Sequence, residues 1–545
     1  MKKKFDIIQE KFVTACFDRH PEVASYLGFT EYDTEIPSGK LSDRKKEINQ
    51  DKGLLEDFMN IDETKIDFDR RITRKLAIHK LQIWIFVDET LKHYMMNPDA
   101  AGEVASFIHS LYRRPGAEKF YPLQARLEKI PSYIQNFKMR VVTPVALWTE
   151  MSIEEAEGVL NFLPMVAATS KKEIPTRDAE EIENSLANVE QSLQEYIDFL
   201  KHVLPTADTP WVMGRENFEN LLTLRKIPYT GDQILNLGKH CMREEKEKMR
   251  KIISSFYPGK SIENVVEIVK SQHPQTFGEI LELYRFYIKK SREFIIKNDI
   301  ITIPKGENLI VEETPEYLRF MYPVAIYIPA PAIGKEKIGH YNVTPPKNQE
   351  ILKEHNESAV ANISVHEAYP GHHIQFSCSH NHPHKIRWGF TPTDVFAKYV
   401  SDGTEFVEGW AHYCEDYMME RGFETSKEYL FMQSLHSLFR AVRMIVDVRL
   451  SRGEIAFDEA VTFLEKETGM GPYQAAAEVK RYTLGPSYPL SYLLGKYMIK
   501  ELKKKVKKSV GPRFSDKFFH DTIVYEGTMP ITFLDEVMEY KTSSG

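Results

Sequence analysis

The segment ISVHEAYPGHHIQF, residues 363–376, concentrates more reactive side chains than any other stretch of the chain. A histidine followed directly by glutamate, with further histidines a short way on, is the donor set of a metal-activated hydrolase. Two imidazoles hold the ion, and the carboxylate beside the first stays off it as general base. In the HExxH helix of zinc hydrolases the two histidines stand one turn apart. Here Ala368, Tyr369, Pro370 and Gly371 separate His366 and Glu367 from His372 and His373, so the spacing is six or seven. On a straight helix those positions lie ~9 and ~10.5 Å along the axis from His366. Two nitrogens each ~2.0–2.1 Å from one zinc must lie within about 4 Å of each other. Pro370 and Gly371 supply the missing shortening. The proline ring clashes with the carbonyl four residues back, that of His366, and donates no hydrogen bond, while glycine absorbs the distortion. The AYPG segment therefore bulges and returns His372 or His373 to the side of His366. His373 is favoured because it is in helical phase with His366, and His372 stays open.

A second element must supply the third ligand. In GTEFVEGWAHYCEDYMMER, residues 403–421, Phe406, Val407, Trp410, Tyr413, Cys414, Tyr417 and Met418 form one broad apolar face, and Glu405, Glu408, His412 and Glu415 form a stripe on the other. The apolar face reads as core. Glu405 and His412 read as solvated, and Glu408, 35 residues beyond His373, could supply a carboxylate to the metal from an adjacent helix. Further on, Arg440, Arg443 and Asp447 recur at steps of three and four. An Arg443–Asp447 pair within the helix is the plain expectation, and a clamp for a peptide carboxylate from Arg440 or Arg443 is the sharper one. The stretch RYTLGPSYPLSYLLGK offers Arg481, Tyr482, Tyr488 and Tyr492, of which one is expected to stabilise an oxyanion. CSHNHPH, residues 378–384, reads as a loop and not as a second metal site. The sequence contains no Gly-rich phosphate loop and no GxSxG nucleophile elbow.

HEAYPGHH followed by VEGWAHYCE, with RAVRMIVDV beyond and RYTLGPSYPLSYLLGK near the end, resembles the domain-of-unknown-function 885 family, whose signature is HExxPGHH and then EGWAxYxE. The resemblance extends over almost the whole chain, starting at HPEVASYLGFTEYD, residues 20–33. It implies a largely helical fold akin to HExxH zinc peptidases with a glutamate as third ligand, and a zinc-dependent peptidase or amide-hydrolase activity. By motif it makes His366, His372 or His373, and Glu408 the ligands, Glu367 the base, and Glu415 a support behind them.

The elements that must position these groups are mainly helical. Residues 1–210 show apolar recurrence at three- and four-residue steps and read as an N-terminal helical lobe, punctuated by prolines 115, 122, 131, 144, 164 and 175. Residues 211–346 read as two long charged helices, about 231–256 and 276–298, followed by short strands in ITIP, LIVEE, VAIYIPAPA and HYNV that line a cleft. Residues 347–545 read as the helical catalytic region. The fold class expected is therefore mainly α with a small β-sheet, a multi-lobed helical architecture around a cleft. The run KKKVKK at 503–508 reads as a solvated helix face.

Composition sets the outer bounds. The 545 residues are 42% hydrophobic and 28% charged, which excludes a disordered chain, and a formal net charge of −7 recruits neither nucleic acid nor anionic lipid. No window approaches the ~18 apolar residues of a membrane span. The basic start MKKKFDIIQEK is interrupted before it reaches signal-peptide length, and four widely spaced cysteines suggest no disulfide framework, so a reducing cytoplasm is expected. The function expected is a zinc-dependent hydrolase acting on a peptide or small amide, with Glu367 as base. The alternatives are a non-peptide amide or ester hydrolase, and a non-catalytic helical binding protein with a structural metal.

Overall fold

The computed structural model describes residues 1–315, 319, 322, 324–334, 337–389 and 403–544. These form two compact units, one containing Met1–Trp211 and the other containing 212–389 and 403–544. The regions 211–346 and 347–545, distinct in sequence texture, thus lie almost wholly within one unit.

The first unit is helical throughout its described length. Arg126 sits at its centre, wholly buried, and donates to Phe107 O, to the hydroxyls of Ser110 and Ser25, and to Tyr32 O. Two of its prolines do not act as breaks. Pro131 lies inside the helix Phe120–Lys138 and Pro164 inside Ala146–Glu173. In the first, buried Leu127, Ile130 and Ile134 flank the proline, so packing outweighs the lost hydrogen bond.

The second unit carries the reactive residues. Its main elements are α1 (Gly231–Phe256), α2 (Phe277–Lys297), β1 (Asn308–Glu313), β2 (Ala325–Ile328), β3 (Ile338–Val343), α3 (Glu357–Glu367), α4 (His372–Ser379), α5 (Thr404–Glu420), α6 (Lys427–Ser451), α7 (Pro472–Leu484) and α8 (Ser491–Val510). Both long charged helices form as expected, each opened by a capping box, Thr230 with Gln233 and Thr276 with Glu279. The strands build one sheet of order β1-β3-β2, with β1 parallel and β2 antiparallel to β3. ITIP is not a strand, and its residues lead from α2 towards β1. The protein is mainly helical with this small three-stranded sheet.

The α5 stripe expected to be partly solvated is buried on every side. Glu405, Glu408, His412 and Glu415 are each at most 1% exposed. Glu405 and His412 each meet a specific cationic neighbour, and burial together with the lysine holds the His412 imidazole neutral. Arg225 donates to Glu405 Oε2 at 2.7 Å, and Lys496 Nζ lies 2.9 Å from His412 Nε2. The lysine run is a largely solvated face, as expected: Lys504, Lys505, Lys507 and Lys508 are exposed, and Lys503 is half-buried. Lys503 pairs with Asp516, and Lys505 with Asp535 and Glu539.

Two glycines let α5 and α8 touch backbone to backbone. A Cβ on Gly495 would stand 1.8 Å from Glu405 O, and one on Gly409 would stand 2.5 Å from Gly495 Cα. No larger residue fits at either point. Gly495→Ala should therefore destabilise the protein by about 3 kcal/mol, whereas Gly53→Ala, in the helix Leu41–Met59 with nothing within 4 Å of its Cβ, should stabilise it by about 0.5–1 kcal/mol. Urea unfolding of the two variants measures both signs, and a neutral Gly495→Ala would contradict the close contact.

Candidate metal centre

α3 ends at Glu367 and α4 begins at His372, so the helix breaks where sequence placed the bulge. The amides of Ala368 and Tyr369 both donate to Ser364 O, and that of Gly371 reaches back to Val365 O at 3.1 Å. The chain folds so tightly onto the end of α3 that a Cβ on Gly371 would lie 1.8 Å from His366 O. Glycine is required here by the close approach. The Tyr369–Pro370 peptide is cis, and Trp410 of α5 donates its indole N–H to Pro370 O at 2.9 Å.

This break settles which histidine returns. His372, not the favoured His373, faces His366: their ring centres stand 4.9 Å apart. Helical phase was the argument for His373, and the break resets that phase. His373 instead turns towards the sheet, where its Nε2 meets Glu307 Oε2 at 2.8 Å and its Nδ1 meets the Tyr327 hydroxyl at 3.1 Å. Gly339 of β3 packs against the same ring.

Glu408 closes the trio. Its Oε2 lies 3.6 Å from His366 Nε2 and 3.5 Å from His372 Nε2. That oxygen is buried and has no hydrogen-bond partner among the described residues. Three donors each ~2.1 Å from a tetrahedral zinc stand roughly 3.4 Å apart, a spacing that both Glu408-to-imidazole distances match. Glu367 also belongs to the cluster, with donor atoms of His366, Glu367 and His372 all within 4.8 Å of one another. Of the two glutamates, Glu408 has the ligand spacing. Glu367 is the partly exposed one, which suits a base that meets water.

Glu415 stands behind His366. Its Oε1 lies 2.7 Å from His366 Nδ1 and accepts from Arg440 Nη2 at 3.2 Å, while its Oε2 accepts from Asn362 at 2.8 Å. A carboxylate on the far nitrogen fixes the ring's orientation and leaves Nε2 facing the centre. The same groups set the charge. Burial alone would strip the proton from His366, but the approach of Glu408 and the bond to Glu415 outweigh it and raise the imidazole to about 10. Burial likewise opposes ionisation of Glu408 and Glu415, yet the histidines hold the first, and Arg440 with His366 the second, well below the usual carboxylate range. The pocket is thus built around positive charge balanced by buried carboxylates.

The tyrosines sort themselves by distance. Tyr488, just before α8, donates to Glu408 Oε1 at 2.7 Å, and its hydroxyl lies 3.3 Å from that of Tyr492. The Tyr492 ring is parallel to His366 within 14°, at 6.4 Å. Tyr482 and Arg481 do not reach this group; both bond Glu478, one turn earlier on α7. Nor does Arg443 pair with Asp447. The Asp447 carboxylate accepts instead from the backbone amides of Ser487 and Leu490, at 3.0 and 2.9 Å. Ser487 sits in the left-handed region at φ 68°, and Arg225 grips its carbonyl and hydroxyl at 2.7 Å each. Asp447 and Arg225 therefore pin the turn that delivers Tyr488. Neither contact has a sequence signal beyond an acidic residue in an apolar helix stretch.

Burial lifts the Asp447 carboxyl to about 6, against the lowering effect of the Ser487 and Leu490 amides. Its unfolded value is ~3.9. Folding thus favours the protonated acid, and the stabilisation this group gives is complete below about pH 4 and lost as pH rises through about 6. Wild-type protein should lose stability relative to Asp447→Asn as pH is raised from 4 to 7 in paired thermal melts. A constant difference across that range would contradict the burial of this carboxylate.

Among the described residues no helix is long and apolar enough to cross a membrane. No curated protein sequence matches the chain. Solved structures that share its fold include two candidate lipoproteins. One, described as a candidate lipoprotein of unknown function from Shewanella oneidensis, has 20% identity and a TM-score of 0.78, with 98% of this chain and 99% of that one covered. The other, a candidate lipoprotein from Colwellia psychrerythraea, has 16% identity and a TM-score of 0.85 over 99% and 100% of the two chains. At such identities the likeness speaks for the fold alone. The family profile described as bacterial protein of unknown function (DUF885) matches residues 21–538, and the chain belongs to that family.

Proposed function

We propose that the protein is a zinc-dependent hydrolase, specifically a metallopeptidase, with His366, His372 and Glu408 holding the ion and Glu367 as general base. The observation that carries this reading is the Glu408 Oε2 atom, buried and unbonded among the described residues, 3.6 and 3.5 Å from two imidazole nitrogens. A buried carboxylate oxygen is costly without a partner, and a cation between these three atoms would satisfy all of them. Two nitrogens and one oxygen with an open fourth position suit zinc.

The chemistry a zinc ion would supply there is polarisation of a carbonyl and acidification of a water. The protein's own groups carry the rest. Glu367 takes a proton from the attacking water as its oxygen bonds to the carbonyl carbon, and passes that proton to the nitrogen as the C–N bond breaks. The Tyr492 hydroxyl, 3.3 Å from that of Tyr488, is the donor for the oxygen that becomes negative, while Tyr488 gives its one proton to Glu408 Oε1 and holds that carboxylate in place. Glu415 and Asn362 keep His366 oriented throughout. A purely structural metal would need no partly exposed glutamate beside it, which favours catalysis over the binding-protein alternative.

Two measurements test this reading. Elemental analysis should find one zinc per chain, strongly reduced in His372→Ala and Glu408→Ala but retained in His373→Ala; full metal in both of the first two would remove the assignment. Separately, Glu367→Gln should keep its zinc and its melting temperature while turnover of a cleaved peptide falls by about 10²–10⁴-fold. A fall of less than tenfold would place the base elsewhere.

A further inference from the structure

Arg443 leaves α6 on the face that meets the tyrosines and is 4% exposed. Its guanidinium lies 4.3 Å from the centre of the Tyr492 ring, 5.2 Å from Phe439 and 5.5 Å from Tyr482. Aromatic faces compensate a buried cation only in part. Among the described residues one carboxylate comes within ion-pair range, that of Glu478, whose Oε2 is 4.0 Å from Arg443 Nε. That carboxylate is already engaged. Both its oxygens accept from Arg481 Nη2 at 3.0 Å, and Oε2 also accepts from Tyr482 at 2.6 Å. Asp447, one turn along α6, is given over to the turn before α8. Arg443 Nε and Nη2 are consequently buried with no hydrogen-bond partner.

Its neighbour Arg440 offers a contrast. Arg440 is committed to Glu415 and to His436 O, and so supports the histidine behind the centre. Arg440 leaves Nε alone unpaired, whereas Arg443 is the one of the two with adjacent donors, Nε and Nη2, both unpaired. A planar guanidinium presents paired N–H groups that match a carboxylate, a geometry a lysine lacks.

The position fits a substrate that reaches the metal centre. Tyr492 neighbours both, 4.3 Å from the guanidinium and 6.4 Å from the His366 ring, so Arg443 lies no more than about 11 Å from that imidazole, and with ~3.3–3.6 Å of extended chain per residue at most one or two residues fill the interval once the end contacts are allowed for. Resting on the metallopeptidase reading, we propose that Arg443 is the seat for a substrate carboxylate lying one or two residues beyond the bond that is cleaved. Two sources share this chemistry, the α-carboxylate at a peptide's C-terminus and an acidic side chain.

The test is calorimetric binding to the zinc-loaded, full-length Glu367→Gln protein, which would hold a ligand without consuming it. Three N-acetylated tripeptides serve as probes: a free acid, its C-terminal amide, and an amide whose last residue is glutamate. The free acid should bind at least tenfold tighter than its amide. Arg443→Met should erase that preference, and Arg443→Lys, which keeps the charge but not the fork, should weaken it severalfold and carries the test if the methionine variant does not fold. If the glutamyl amide binds like the free acid, the seat is confirmed with a side-chain carboxylate as its ligand. Equal binding of acid and amide, or a preference that survives both Arg443 substitutions, would overturn the proposal. Failure of wild-type protein to cleave any peptide while the acid preference persists would strike the hydrolase reading alone.

Discussion

Two ionised carboxylates, Glu408 and Glu415, lie fully buried two turns apart on one helix, and much of the second unit is arranged to make that tolerable. A buried carboxylate persists only where cations or several donors surround it. Glu415 receives His366, Arg440 and Asn362, drawn from α3 and α6. Glu408 receives Tyr488 on one oxygen and faces two imidazoles with the other. The same demand recurs along α5, where Arg225 answers Glu405, and Lys496 and Lys500 answer Asp416. A helix that reads as amphipathic is thus a central one, with packing on one side and charge compensation on the other.

This explains why the site was more legible than its surroundings. The histidines, Glu367 and Glu408 declare themselves because their residue types and order have few other uses, and Pro370 with Gly371 announces the break between α3 and α4. The choice between His372 and His373 was not readable. It depends on how the chain restarts after the break, which is set by contacts from Trp410 and from the end of α3 that are distant in sequence or invisible in it. Tyr488 stood out among three equivalent tyrosines only once Asp447 and Arg225 had fixed its turn.

The fold divides in a similar way. Helix type and extent followed from periodicity and capping residues, as in α1 and α2, because those are local properties. The misreadings were tertiary. Pro131 and Pro164 remain inside helices because buried neighbours hold them there, and Glu405 reads as solvated although it is buried, because composition cannot tell a solvated glutamate from one paired with a distant arginine. Isolated apolar tetrapeptides such as ITIP are ambiguous for the same reason, since a strand exists only by virtue of its partner.

The break at residues 368–371 has a wider meaning for how such a centre is specified. In an unbroken helix the separation of two ligands is dictated by pitch, and only one sequence interval will serve. Here the separation is dictated by a turn whose closing contact is made by the backbone, between Gly371 and the last carbonyls of α3. The interval between the histidines becomes a property of that turn rather than of the helix, and a pattern search that demands two histidines one turn apart would pass over this chain although the atoms end up within reach of a single ion. Geometry conserved in space can be encoded at more than one distance along the chain.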